Sequence, residues 1–183
     1  KVPYGSLTIN QRQQTAMPGI DFMTDFDSWL AIQNGVNPLA GDAIDPMRRF
    51  IRNGRDLAAY VHIDALYEAY LNACLVLLGM GAPVDAGNPY ASATKTDAFG
   101  TFGGPHILSL VTEVATRALK AVWFQKWYVH RRLRPEEFGG RIHQHLVGAK
   151  NYPIDSEILD SQAVQETFGQ FGTYLLPQAF PEG

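Results

Sequence analysis

Cysteine is almost absent from this sequence. Cys74 is the single one in 183 residues, so no internal disulfide can form. It lies in an apolar run and reads as a small buried hydrophobe rather than a nucleophile. Long hydrophobic runs are missing too: the longest, Ala73 to Leu78, falls far short of the ~20 residues that a membrane-spanning helix needs. There is no excess of positive charge. A net charge of −3 argues against a general nucleic-acid binder, so whatever the cations do is local. Internal repeats, low-complexity tracts and convincing strand patterns are all lacking. So are a Glu-x-x-His motif and any Gly-His dipeptide.

What is present is a globular composition, 46% hydrophobic with 11% aromatic residues, enough for one domain with a sizeable core. Residues 1–20, with Pro3, Gly5, Pro18 and Gly19, read as an extended arm. Thr24 or Asp25 is placed to cap a short helix carrying Phe26, Trp29, Leu30 and Ile32, which Asn34-Gly35 ends. Pro38 to Asp45 reads as loop, and Pro46 as the start of another short helix through Phe50 and Ile51. From Arg55 to Leu78 the spacing of Leu57, Val61, Ala69, Ala73 and Val76 predicts one long helix, ended by Gly79 and Gly81. Asp64 and Glu68, one turn apart on it, read as an exposed or inter-helical polar face rather than a metal pair.

The chain is organised around Pro105 to Gly140. Pro105 suits the first position of a helix, having no N–H to lose. Leu108, Val111, Ala115, Ala118, Leu119 and Val122 follow at helical spacing, predicting a long helix whose face with Ala115, Ala118 and Leu119 is buried on the Arg55–Leu78 helix. Its end gathers Lys126, His130, Arg131, Arg132 and Arg134 before Pro135. At about 100° per residue Lys126 and Arg134 stand roughly 80° apart on a helix, with roughly 12 Å of rise between them. Pro135 disfavours helical backbone at Arg134, so the chain is expected to bend there. A lysine point charge beside a guanidinium fork suits a tetrahedral oxyanion, although cations at a helix end also simply complement its dipole.

Pro135-Glu136-Glu137 then opens a helix through Phe138, Ile142 and Val147, the glutamates suiting its positive end. His143 and His145 point to different sides of it and make a poor metal pair. Asp155 or Ser156 caps a last helix carrying Ile158, Leu159, Val164 and Phe168. Before the central helix, Thr101-Phe-Gly-Gly-Pro-His106 has the glycines of a phosphate loop but neither its lysine nor a preceding strand. His106 there reads as a structural hydrogen-bonding residue. The coarse fold class is all-α, with an arm and short helices over 1–54 and a helical-bundle portion over 55–183.

The run Lys126-Trp-Tyr-Val-His-Arg-Arg-Leu-Arg134-Pro135-Glu136 resembles the first signature of vanadium-dependent haloperoxidases and related acid phosphatases: a lysine, about seven spacer residues, then Arg-Pro. Phe99-Gly-Thr-Phe-Gly-Gly-Pro-His106, Glu113-Val-Ala-Thr-Arg-Ala-Leu119, Phe138-Gly-Gly140, Tyr174-Leu-Leu-Pro and Phe180-Pro-Glu-Gly183 resemble the algal and cyanobacterial bromoperoxidase branch. The resemblance implies that Lys126 and Arg134 bind the equatorial oxygens of vanadate, with Lys126 also polarising peroxide towards bromide. It implies a halide-pocket position for Trp123, with His130 on the same helical face as Lys126, in a direct role or a hydrogen-bonding or packing one. The second and third signatures do not occur: none of His62, His106, His130, His143 or His145 matches the axial histidine. The expectation is therefore a bromoperoxidase portion, inactive alone, completed by the rest of the subunit or a second chain bearing Ser-Gly-His. Hydrogen peroxide, bromide and an organic acceptor would be its substrates, and a large homo-oligomer its assembly. An acid phosphatase of the same superfamily and a non-catalytic helical assembly module are the alternatives.

Overall fold

The computed structural model describes residues 1–38 and 40–183. Leu39, inside the stretch read as loop, lies outside them. The chain is mostly helical, as the sequence predicts, and its residues fall into two compact units interleaved along it: 1–12 with 61–131, and 13–60 with 132–183. Among the described residues no single helix is long and apolar enough to cross a membrane.

The first unit opens with a hairpin where an arm was expected. Strand β1 (Val2–Tyr4) pairs antiparallel with β2 (Leu7–Ile9), Val2 opposite Ile9, around a turn in which Gly5 takes φ 57°. Strands of three residues are too short for alternation to show. The predicted Arg55–Leu78 helix is in fact two, α2 (Gly54–Ile63) and α3 (Glu68–Gly79). Between them Tyr67 is left-handed at φ 50°. The Glu68 carboxylate accepts the Ala65 N–H at 2.9 Å while the Ala65 carbonyl accepts the Glu68 N–H at 3.0 Å. This reciprocal pair fixes the start of α3 much as a capping box does.

Helix α4 (Gly104–Trp123) follows, with Pro105 in its first turn as expected. Gly103 is required in front of it, because a Cβ there would meet the Ala98 carbonyl oxygen at 2.4 Å. Helix α4 packs on α3, yet none of its residues is buried. Ala115 and Leu119 are half-buried and Ala118 is exposed, contrary to the burial expected of them. Together with Tyr67, Tyr70, Val114 and Val122 they line an open apolar groove of about 680 Å³. Periodicity identifies an apolar face; it does not say what covers it.

In the second unit the predicted helix after Pro46 is absent. The Arg49 backbone instead exchanges hydrogen bonds with Gln13 at 2.8 and 3.0 Å, and Ala16 bridges Ile44, so the segment is extended. Ion pairs hold the extended path: Arg49 to Asp45 at 2.6 Å, and Arg52 to the buried Asp56 at 2.8 Å. The Arg52 hydrogen bonds draw the Asp56 carboxyl below its ordinary pKa. Helix α1 (Phe26–Gln33) is capped by Asp25, whose carboxylate accepts the Ser28 N–H at 2.8 Å. Helix α5 spans Pro135–Leu146, and the last predicted helix divides into α6 (Ser156–Leu159) and α7 (Gln162–Phe171), each with its own side-chain cap. The core is Met23, Trp29 and Leu175, with Phe26 and Ile32 against them, and a second cluster joins Ala16, Ala59 and Phe180.

Candidate anion site

Trp123, Lys126 and His130 belong to the first unit and Arg134 to the second, so each half of the candidate site is built by itself. The long helix does not run on to Arg134. After Trp123 the backbone widens into a π-helical turn, Phe124–Val129, closed by the i→i−5 bond from the His130 N–H to the Gln125 carbonyl at 2.8 Å. Arg131 then takes φ 47°, a left-handed conformation uncommon for a non-glycine residue. The angular relation of Lys126 to Arg134 read from α-helical periodicity does not survive this turn. The turn closes the C-terminal end of α4, where π-turns are found.

Lys126 is half-buried inside that turn. Its ammonium lies 4.4 Å from the centroid of the Trp127 ring, a cation–π distance. Among the described residues no carboxylate stands within ion-pair distance of it. Phe124 and Tyr128 stack at 5.4 Å beside it, and Trp123 is 46% exposed. His130 is exposed. The turn sets a cation over one indole face, with no acid among the described residues to neutralise it.

The other half starts at Arg134, the extended residue that precedes α5 (φ −73°, ψ 155°), as Pro135 dictates. Its Nε stands 2.6 Å from Oε1 of Glu136, whose side chain is buried. Glu136 is anchored in turn, since its carbonyl accepts the Trp29 indole N–H at 3.0 Å. Two glycines let α5 come this close to its neighbours: a Cβ at Gly139 would press on the Leu176 backbone at 3.0 Å, and one at Gly140 would lie 2.0 Å from Trp29 Cζ2. Sequence reasoning missed the roles of Trp127 and Glu136. Adjacent positions do not face one another on a regular helix, so helical spacing gave no signal for either.

The histidines are structural where their contacts are defined. His106 Nδ1 accepts the Phe102 N–H at 2.9 Å, and His145 Nδ1 accepts the Tyr152 N–H at 3.1 Å. His143 is buried, stacks on Phe26 and accepts the Tyr174 N–H at 3.3 Å, and burial pushes its pKa below the ordinary value. Among the described residues no three His, Cys, Asp or Glu side chains converge on a metal position.

A mostly helical chain with a lysine turn, a seven-residue spacer and an Arg-Pro helix start has the build of the haloperoxidase and acid-phosphatase superfamily. No family model matches it. It is 44% identical to the vanadium-dependent bromoperoxidases of Corallina pilulifera and Corallina officinalis, and 35% to that of Ascophyllum nodosum; these matches take in 100%, 100% and 97% of the chain. Its backbone is similar to the homohexameric second vanadate-dependent bromoperoxidase of Ascophyllum nodosum, with a TM-score of 0.81 and 31% identity over the whole chain. The chain belongs to the vanadium-dependent haloperoxidases, in their bromoperoxidase branch. It spans about a third of the length of the curated relatives it matches (34%).

Proposed function

We propose that the complete protein is a vanadium-dependent bromoperoxidase, using hydrogen peroxide to oxidise bromide to a hypobromous-acid-like agent that halogenates an organic acceptor. The observation that carries this reading is identity of 44% to bromoperoxidases along the whole chain. Residues 55–183 would contribute the first vanadate-binding motif, and 1–54 an arm with short structural elements. The donors present fit a tetrahedral oxyanion. Lys126 is half-buried without a carboxylate competitor among the described residues, and Arg134 keeps N–H donors beyond the one that faces Glu136.

Vanadate, when bound, supplies an electrophilic centre that activates peroxide without changing its own oxidation state. The part of this chain would be electrostatic: Lys126 and Arg134 would compensate oxyanion charge, and Lys126 would also draw charge from a peroxide oxygen. Trp123 would line the halide pocket, with His130 beside it. The histidine ligand, which matches no motif here, would come with a Ser-Gly-His segment from the rest of the subunit or a second chain. The homohexameric neighbour supports a homo-oligomer. Reconstituting the complete protein with orthovanadate should give peroxide-dependent bromination of an organic acceptor. Hydrolysis of a phosphate monoester without bromination would move the protein to the acid phosphatases, and no binding of vanadate would leave only an assembly role.

A further inference from the structure

Arg134 is exposed over 57% of its side chain, whereas the carboxylate that holds its Nε is only 9% exposed. A guanidinium in water has many rotamers, and fixing one costs entropy that an anion must overcome on binding. Here the inner edge is already held. Two contacts hold the holder, the Trp29 indole on the Glu136 carbonyl and the close approach of Gly140 to Trp29, and Pro135 fixes the backbone of the first turn. The side chain that would meet the oxyanion is thus mobile only at its outer end.

We infer that Glu136 is a positioning residue, which orients Arg134 by its buried carboxylate so that the remaining guanidinium donors face the oxyanion. This rests on the bromoperoxidase reading. The same carboxylate also brings negative charge near the anion, so two effects oppose each other, and measurement of vanadate binding separates them. If orientation dominates, removing the charge weakens vanadate binding; if repulsion dominates, it tightens it. Partners that orient a group contacting an inorganic centre commonly matter by about 10–100-fold in affinity.

The experiment is a double-mutant cycle on the complete protein, read by orthovanadate dissociation constants from equilibrium dialysis rather than by turnover. Glu136→Gln keeps the shape and removes the charge. With Arg134 present it should weaken vanadate binding by about 10-fold or more; in an Arg134→Ala background it should change binding by less than about 2-fold. A loss of equal size in both backgrounds marks Glu136 as merely structural and overturns the inference, as does tighter binding. Should Glu136→Gln not fold, Glu136→Asp replaces it with the same two expectations, since the shorter side chain withdraws the carboxylate from Nε. Wild-type protein that holds no vanadate removes the bromoperoxidase reading itself; wild-type that holds it as tightly as Glu136→Gln overturns only the role of Glu136.

Discussion

Lys126 owes its setting to backbone geometry as much as to side chains. The π-turn seats its ammonium over the Trp127 ring, where no acid neutralises it among the described residues. On the proposed reading, an oxyanion there would meet a charge that the indole partly shields from water. Lys126→Ala and Arg134→Ala in the complete protein should each lower the bromination rate on the order of a hundredfold after vanadate reconstitution. Near-normal steady-state rates in both would remove these residues from the site. His143 tests a different property. Burial favours its neutral form, so its stabilising contribution is complete above the unfolded pKa of about 6.5 and is lost as pH falls through the lower folded value. Protonation would also take the Nδ1 lone pair that the Tyr174 N–H uses. Urea melts should therefore show the stability gap between wild type and His143→Phe narrowing from pH 7.5 to pH 5.5. A gap that stays constant would mean that the imidazole does not titrate in that window.

The elements that the sequence announced are those with chemical punctuation. Asp25 before α1 and Pro135 at α5 are residue types that favour a helix start, and each stands where it was expected. The elements that were not legible lack such marks. Nothing between Asp64 and Tyr67 is Gly or Pro, and the helix break there depends on the Tyr67 dihedral and the Glu68–Ala65 exchange. The π-turn likewise inserts one residue into a stretch whose composition suits an α-helix throughout. The motif that joins Lys126 to Arg134 is visible in the sequence, but the regular helix on which their spacing was drawn ends before Arg134. Two stability predictions belong at this scale. Gly140→Ala should destabilise the protein by about 1–3 kcal/mol or more, because its methyl group meets the Trp29 ring in a packed core. Leu119→Ala should cost only about 1 kcal/mol, below the roughly 2–5 kcal/mol of a fully buried leucine, because its groove is open. Denaturant midpoints decide both: a small loss at Gly140 would mean that Trp29 swings away, and a large one at Leu119 that the groove is filled.

For the whole molecule, composition indicated a helical globular chain, and the identity along its length supplies the family; neither says how apolar surface is finally covered. Tyr70 is 64% exposed, Val114 62% and Phe99 76%, and the first two line the same groove. The chain spans about a third of its relatives' length, so the rest of a subunit would cover such a groove as well as a second copy would. Specific stable interfaces bury about 1,200–2,000 Å² in total, and most oligomers repeat one such contact by closed symmetry. A structure similar over this whole chain is a homohexamer. The complete protein should accordingly have a light-scattering mass that is an integral multiple, greater than one, of its subunit at micromolar concentration. The mass should hold on moderate dilution and in about 0.5 M salt, because apolar contacts are not screened as ion pairs are. A single-subunit mass under these conditions would exclude the homo-oligomer, and a mass that falls only as salt rises would place its affinity in surface charge rather than in apolar burial.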